Sequence, residues 1–262
     1  MTIRRRRAAG LAVLAALSLG GPVARSEEIP LSERRSGFEA MSPQTQALQR
    51  DDTANPGMLS VLEGEALWGA KAGRAGRACA DCHGDGGAMR GVAARYPAFD
   101  PARGGPITLD ARINLCRTER QEAAPFGPES PEGLALQAFV AHQSRGLPIE
   151  AGDERLAASR ERGRALFRLR QGQLNLSCAQ CHDDNWGRRL GGAPIPQGHP
   201  TGYPLYRLEW QTIGSLARRL RNCLVGVRAE PFPPGSPELL DLEVYLAWRA
   251  RGMAVETPAV RP

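Results

Sequence analysis

The sequence predicts a mainly α-helical protein made of two tandem domains related by internal duplication. Matched motifs recur in the same order along the two halves of the 262-residue chain. Helical patterns flank these motifs, and no alternating apolar segment is long enough to predict a strand. Hydrophobic residues make up 42% and charged residues 24% of the chain, which is typical of a soluble globular protein with one or two domains.

Residues 1–26 have the features of a secretory signal peptide. Arg4–Arg7 are a charged start, residues 8–19 form an apolar stretch too short to span a membrane, and Ala24-Arg25-Ser26 offers small residues for cleavage. A membrane-anchored N-terminus is the alternative. Without the five arginines of this segment, the formal charge of +6 falls to +1, so the basic balance does not indicate nucleic-acid binding. We therefore predict export to the periplasm, with neither nucleic acid nor membrane as a partner.

Two C-x-x-C-H runs dominate the cysteine pattern. The first contains Cys79, Cys82 and His83, and the second contains Cys178, Cys181 and His182. This is the attachment signature of c-type haem, in which the thiols bond to the porphyrin and the histidine binds the iron. A thioredoxin-like redox motif does not require the histidine, and a zinc site would leave both histidines unexplained. The sequence therefore predicts two covalently bound haem c groups.

The duplication extends well beyond these runs. A Gly-x-Ala-Leu-aromatic motif begins at Gly64 and again at Gly163, in each case 15 residues before the first cysteine of its run. Tyr-Pro pairs stand 20 residues before Cys116 and before Cys223. The second copy has a longer middle loop, which we place around residues 191–200. We predict an N-terminal extension at 27–57, a first domain at 58–152 and a second domain at 153–262.

Each copy has the element order of a class I cytochrome c-like haem domain. Helices are predicted before the C-x-x-C-H runs, at about 59–72 and 155–170. A loop rich in Gly and Pro follows, then a short helical stretch with the lone cysteine. The final helices begin at the Ser-Pro-Glu triplets 130–132 and 236–238, since Pro and an acidic residue favour a helical first turn. Residues 147–154 are the predicted linker between the domains.

The second axial ligand of each iron is predicted from the matched lone cysteines. Met89 is too close to His83 in sequence to cross a haem easily, and Met253 has no counterpart in the first copy. Cys116 and Cys223 stand before the final helix of each copy, and thiolate is a sound iron ligand. We therefore predict His/Cys ligation at both irons. A Cys116–Cys223 disulfide is the alternative, and His142 and His199 are further candidates without a partner in the other copy.

These motifs resemble the SoxA subunits of the SoxAX thiosulfate-oxidising cytochromes, in their dihaem form. The signal peptide, both C-x-x-C-H runs, both lone cysteines and the R-x-x-x-C arrangement of Arg219 and Cys223 carry the resemblance. It implies that Cys223 is a catalytic cysteine persulfide and that Arg219 binds the substrate. The first haem, ligated by His83 and Cys116, would then be an electron-transfer or vestigial centre.

The resemblance also implies a reaction and its partners. Thiosulfate would be conjugated oxidatively to a cysteine of a SoxYZ carrier protein, as in an L-cysteine S-thiosulfotransferase. Electrons would pass through a SoxX-type monohaem cytochrome subunit, the partner in a heterodimer, to a small cytochrome c. Two other classes of protein remain as alternatives, a dihaem electron carrier without catalysis and a dihaem cytochrome c peroxidase.

Overall fold

Helices dominate the structure, a computed structural model that describes residues 29–262; the predicted signal peptide at 1–26 lies outside the described residues. In chain order, the elements are α1 (Pro43–Arg50), α2 (Met58–Gly69), α3 (Ala80–His83), β1 (Ala98–Asp100), β2 (Gly105–Ile107), α4 (Leu109–Glu119), α5 (Pro131–His142), α6 (Ala157–Arg168), α7 (Cys178–His182), β3 (Arg189–Leu190), β4 (Ala193–Pro194), β5 (Leu205–Arg207), β6 (Thr212–Gly214), α8 (Leu216–Gly226), α9 (Pro237–Arg249) and β7 (Val260–Arg261). Short 3-10 turns lie at Leu31–Glu33, Gly86–Met89, Ala93–Arg95 and Glu154–Leu156.

One series of elements occurs twice along the chain. Helix, C-x-x-C-H helix, antiparallel hairpin, lone-cysteine helix and final helix appear as α2 to α5 and again as α6 to α9. We call these two series the first and second repeats. The hairpins β1–β2 and β5–β6 pair in the same register, and β7 joins β5 in parallel. Each strand has only two or three residues, too few to show the alternation by which a sequence predicts a strand.

Hydroxyl side chains cap the helices that close each repeat. Ser130 accepts a hydrogen bond from the amide of Gly133 at the start of α5, and Ser236 accepts one from Leu239 at the start of α9. The Ser-Pro-Glu triplets therefore start these helices, as predicted. Each such cap contributes about 1 kcal/mol, since it satisfies an amide that has no partner within the helix.

The first and last helices of each repeat cross at a glycine. A Cβ atom at Gly64 would overlap the backbone carbonyl of Ala135, and one at Gly163 would overlap that of Asp241. Glycine therefore lets α2 approach α5, and α6 approach α9, to backbone contact. Beside each crossing lies an aromatic pair, Trp68 with Phe139 at 5.6 Å between ring centroids in the first repeat.

The two repeats join through a symmetric backbone exchange. The amide of Gly146 donates to the carbonyl of Val255, and the amide of Gly252 donates to that of Ile149. These bonds are related by the 106-residue shift of the duplication, so they lie about a local two-fold axis. Ile149 and Val255 are buried there together with Ala94 and Ala250. The predicted linker at 147–154 therefore belongs partly to a shared core.

The N-terminal extension lies against the C-terminal tail of the chain. The amide of Val260 donates to Gln49 Oε1 at 3.0 Å, and Asn55 Nδ2 donates to the Pro258 carbonyl at 2.9 Å. The amide of Arg35 donates to Gln197 Oε1 at 2.7 Å, which connects the extension to the long loop of the second repeat. Residues 29–57 form no hydrophobic cluster of their own, and these contacts hold them against the rest of the chain.

Candidate haem sites and the arginine–cysteine cluster

The first C-x-x-C-H run forms one short helix beneath the crossing of α2 and α5. Cys79 is the N-cap of α3, and His83 is its last residue. The indole of Trp68 lies 5.7 Å from the imidazole of His83 and donates to the carbonyl of Gly84 at 2.9 Å. The cores of α2 and α5 thus fix the position of the run.

Hydrogen bonds hold both the start and the histidine of the second run. Ser177 and Gln180 form a capping box at the start of α7, so each satisfies the other's backbone amide. His182 Nδ1 lies 2.7 Å from the carbonyl oxygen of Pro196. Because a carbonyl only accepts, Nδ1 carries the proton and Nε2 keeps its lone pair for a metal. Burial lowers the pKa of His182, which also favours the neutral, ligating form.

The hydrogen bond between His182 and the Pro196 carbonyl distinguishes the two repeats. Pro196 belongs to the longer middle loop of the second copy, where the sequence predicts the insertion. Within residues 29–262, no comparable hydrogen bond holds the exposed ring of His83. Two thiols, a histidine with one free nitrogen and a further sulfur nearby are the donor set that haem c needs, so the residues of the second repeat fit this group.

Each lone cysteine lies near the two cysteines of the C-x-x-C-H run in its own repeat. Cys116 interacts electrostatically with Cys79 and Cys82, and Cys223 interacts with Cys178 and Cys181. Burial and the neighbouring Cys223 raise the pKa of Cys178 to about 11. All six cysteines are free in the structure, which contains no Cys116–Cys223 disulfide among the described residues.

Two arginines and a tyrosine lie near Cys223. Arg219 lies one helical turn before Cys223 on α8, which places both residues on one face of that helix. Arg207, at the end of β5, and Tyr203 are within electrostatic range of both residues. Burial raises the pKa of Tyr203 to about 12, so its hydroxyl remains a hydrogen-bond donor. We call Cys223, Arg219, Arg207 and Tyr203 the arginine–cysteine cluster.

The matched position in the first repeat has a different charge arrangement. Arg112, the counterpart of Arg219, lies 3.2 Å from a carboxylate oxygen of Asp100. Within residues 29–262, no carboxylate forms an ion pair with Arg219. Of the other arginines on α8, Arg218 packs over the ring of Trp210 at 4.2 Å, and Arg221 is exposed. Arg219 is therefore the arginine of α8 that remains available for an anion beside Cys223.

The two other candidate histidines bind backbone and side-chain groups elsewhere. His142 Nδ1 lies 3.3 Å from the carbonyl oxygen of Thr257. His199 Nε2 lies 3.1 Å from Gln197 Oε1 in the long loop, and burial lowers the pKa of His199 to about 3. These contacts occupy one nitrogen of each ring. Neither histidine has a histidine at the matched position of the other repeat.

A cavity of about 500 Å³ lies between the repeats. Its lining includes matched residues of the two final helices, Gln137 on α5 and Glu243 on α9. Burial, together with the negative charges of Asp110 and Glu129, raises the pKa of Glu243 to about 8. The cavity thus places an acid of the second repeat where the first repeat has a neutral amide.

Sequence reasoning missed Arg207, Tyr203 and Pro196. Pro196 belongs to the long loop and to no motif that includes His182. Nothing in the sequence indicated the hydrogen bond between these two residues. Arg207 did carry a signal. The 107-residue shift that aligns the lone cysteines also aligns Arg207 with Asp100, and this reversal of charge is visible in the duplication.

Comparisons with known proteins relate both repeats to one family. Residues 63–149 and 162–255 match the family described as SoxA/TsdA, cytochrome c domain. An L-cysteine S-thiosulfotransferase subunit SoxA of Pseudaminobacter salicylatoxidans is 39% identical over 241 residues, which cover 91% of this chain and 84% of that protein. The subunit of the same name from Rhodovulum sulfidophilum is 40% identical over 232 residues, covering 87% and 80%.

A solved structure shows the same fold. The crystal structure of SoxXA from P. pantotrophus matches with a TM-score of 0.85 at 34% identity, and the match covers 87% of each chain. With the two matches to the cytochrome c domain family, it confirms the predicted fold class of two tandem cytochrome c-like domains. The resemblance inferred from the motifs is confirmed as well. The chain therefore belongs to the SoxA family of L-cysteine S-thiosulfotransferase subunits, with one SoxA/TsdA cytochrome c domain in each repeat.

Proposed function

We propose that this protein catalyses the oxidative conjugation of thiosulfate to a cysteine of a SoxYZ carrier protein, at the second repeat. The relatives named L-cysteine S-thiosulfotransferase subunit SoxA support this activity. Overall, an S–S bond forms between the outer sulfur of thiosulfate and the carrier thiol, while one proton and two electrons leave. The product is a carrier S-thiosulfonate.

Two covalently bound haem c groups are part of this proposal. Cys79 and Cys82 would attach the first, and His83 and Cys116 would bind its iron. Cys178 and Cys181 would attach the second, and His182 and Cys223 would bind its iron. When bound, haem supplies a centre that accepts one electron at a time. The Pro196 carbonyl would orient His182 and increase its basicity as a ligand.

Arg219 and Cys223 divide the work of catalysis. The forked guanidinium of Arg219 binds the sulfonate oxygens of thiosulfate and holds its outer sulfur towards Cys223. Cys223, as a persulfide, joins the outer sulfur of thiosulfate with loss of two electrons. The carrier thiolate then attacks that sulfur and releases the persulfide, an exchange that requires no further oxidation. Covalent catalysis thus splits one difficult oxidation into two simpler steps.

The partners follow from the direction of electron flow. The structural neighbour is a SoxXA complex, which supports a SoxX-type monohaem cytochrome subunit as heterodimer partner. A small cytochrome c would accept the electrons. None of the helices in residues 29–262 is long and apolar enough to cross a membrane. The signal-like residues 1–26 support a periplasmic location, where the carrier would also have to reside.

The observation that carries this proposal is the asymmetry around the two lone cysteines. Cys223 has beside it an arginine that no carboxylate among residues 29–262 neutralises, whereas Arg112 beside Cys116 is paired with Asp100. A dianion such as thiosulfate needs uncompensated positive charge when it leaves water. The second repeat meets this requirement at its lone cysteine.

The test combines mass spectrometry with turnover of the holoprotein in its heterodimer. The intact mass of the mature chain should correspond to two haems and one extra sulfur, and Cys223→Ser should remove that sulfur. The same variant should abolish thiosulfate-dependent cytochrome c reduction in the presence of the carrier. Cys116→Met is the matched control and should retain part of the turnover. Full turnover in Cys223→Ser would show that Cys223 is not the catalytic residue. A wild type without thiosulfate-dependent turnover, with both haems still reducible, would instead support a simple electron carrier.

A further inference from the structure

One charge reversal separates the lone-cysteine sites of the two repeats. The 107-residue shift that relates Cys116 to Cys223 also relates Arg112 to Arg219 and Asp100 to Arg207. Asp100 ends β1 opposite Gly105, and Arg207 ends β5 opposite Thr212, so the two residues occupy the same place in their hairpins.

In the first repeat, the acid at this place neutralises the arginine of the helix. The side chain of Asp100 is only 4% exposed, and its carboxylate lies 3.2 Å from both Arg112 and Arg103. Burial alone would raise the pKa of Asp100, but the Ala102 amide, Arg103 and Arg112 together lower it. Asp100 is therefore ionised and takes up the charge of Arg112.

In the second repeat, the same place holds a second cation. The side chain of Arg207 is 14% exposed, and its Nε atom is buried without a hydrogen-bond partner among residues 29–262. Its nearest carboxylate, that of the exposed Glu209, lies 3.4 Å from one terminal nitrogen. A buried donor without a partner is rare in native structures and indicates a ligand or ordered water.

The residue that packs against this position also differs between the two repeats. Arg103, which binds Asp100 in the first repeat, corresponds to Trp210 in the second. Trp210 stacks against Arg207, with 5.2 Å from the guanidinium carbon to the ring centroid. The hairpin thus holds a cation through an aromatic face where the first repeat holds an anion through an arginine.

We propose that Arg207 is a second anion-binding residue, which acts with Arg219 to hold the two negative charges of a dianionic sulfur substrate beside Cys223. This inference rests on the proposed function and deepens it. Two guanidinium groups close enough to repel each other are stabilised when a dianion lies between them. The Asp100-to-Arg207 exchange then explains why such a site exists in the second repeat and not at Cys116.

The test measures KM and kcat for thiosulfate in Arg207→Gln holoprotein within its heterodimer. KM should rise roughly tenfold or more, since one charge-assisted contact is lost, while kcat changes little. Competitive inhibition should also change. Dianionic sulfate should inhibit the wild type more strongly than monoanionic methanesulfonate, and Arg207→Gln should remove this preference. Loss of packing alone would alter neither the preference for charge nor KM selectively.

Two further variants complete the experiment. Arg207→Lys retains the charge and should give an intermediate KM, which keeps the test informative if Arg207→Gln loses haem. Asp100→Asn is the matched control in the first repeat and should leave KM for thiosulfate unchanged. If Arg207→Gln binds thiosulfate and sulfate as the wild type does, this inference fails while the proposed function stands. If the wild-type holoprotein shows no thiosulfate-dependent turnover, the proposed function fails.

Discussion

Arg112 and Arg219 occupy matched positions, one helical turn before matched cysteines, but their charges have different surroundings. Asp100 lies 3.2 Å from Arg112, whereas Arg207 lies near Arg219. Burial, followed by the charge of Arg219, lowers the pKa of Arg207, as expected for two like charges held close together. At the scale of single residues, one position in each hairpin determines whether the neighbouring arginine is free to bind an anion.

Replacement of Arg219 should therefore be far more damaging than replacement of Arg112. We expect Arg219→Ala to lower kcat/KM for thiosulfate roughly ten- to a hundredfold, because a charge-assisted contact contributes about 1.5–3 kcal/mol. Arg219→Lys should recover only part of this loss, since an ammonium lacks the forked pair of donors. Steady-state cytochrome c reduction measures both effects.

Arg112→Ala is the control for this comparison. It removes the matched arginine but should leave turnover nearly unchanged, because the ion pair with Asp100 already neutralises the charge of Arg112. Equal damage by Arg112→Ala and Arg219→Ala would show that the active site has been assigned to the wrong repeat.

Cys116→Met should separate the two irons spectroscopically. We expect electron paramagnetic resonance of the wild type to show two low-spin signals of the thiolate type. The variant should lose one of them, because a thioether replaces a thiolate ligand, and should retain part of its turnover. A peptide map containing a Cys116–Cys223 disulfide would contradict both assignments.

At the scale of elements, the crossing of the first and last helices positions each C-x-x-C-H run. Gly64 and Gly163 allow this crossing, since a Cβ atom at either position would overlap a backbone carbonyl of the partner helix. The backbone of the partner helix cannot move aside to make room for a Cβ atom, as a flexible side chain could. The repeated glycine of the Gly-x-Ala-Leu-aromatic motif is therefore a packing requirement of both repeats.

Gly64→Ala should destabilise the protein by about 1–3 kcal/mol, as is typical of overpacked cores. The variant should unfold at a lower denaturant concentration, measured by circular dichroism on the holoprotein. Gly69→Ala is the control at the end of the same helix, where a Cβ atom meets nothing within 4 Å. If both variants unfold at the same denaturant concentration as the wild type, α2 and α5 do not pack as closely as described.

At the scale of the whole molecule, the repeats share a core and a cavity. The exchange between residues 146–149 and 252–255 joins the two domains at their local two-fold axis. Next to it, Glu243 lines the cavity together with Gln137, its counterpart in the first repeat. Asp110 and Glu129, both from the first repeat, place negative charges near Glu243.

Glu243 should make the stability of the protein depend on pH. Burial and the two nearby acids raise its pKa from 4.5 to about 8, so the folded state favours the protonated form. The stability that this carboxyl provides is complete below about pH 4.5 and is lost as the pH rises to about 8. The loss should be on the order of 2–4 kcal/mol, below what the full pKa shift implies, since Glu243 keeps some contact with solvent.

Glu243→Gln places the residue of the first repeat at this position and should flatten the pH dependence. Denaturant unfolding at several pH values between 4.5 and 9 measures the effect. An unchanged profile in the variant would show that another group accounts for the dependence.

Haem content is a further property of the whole molecule. We expect two covalent haems in each exported chain, measured by the pyridine haemochrome method, because each repeat has its own attachment run. A value of one haem per chain, or a product loaded with zinc, would contradict this prediction.

The sequence by itself determined the local and repeated features of this protein. The C-x-x-C-H runs, the lone cysteines and the Ser-Pro-Glu helix starts depend on residues that are close together in the chain. The order of these motifs also predicted the duplication, and with it the family. Such features are accessible because covalent attachment and helix capping act within a few residues.

Tertiary structure decided how distant residues meet. The Pro196 carbonyl reaches His182 only because the long loop folds back over α7, and residues 146–149 meet residues 252–255 only across the local two-fold axis. The short strands of the hairpins, which place Asp100 against Arg112 and Arg207 near Arg219, were too brief to leave a periodic signal. Electrostatic pairing depends on distance in space, and so the charge of the site was determined only once the chain had folded.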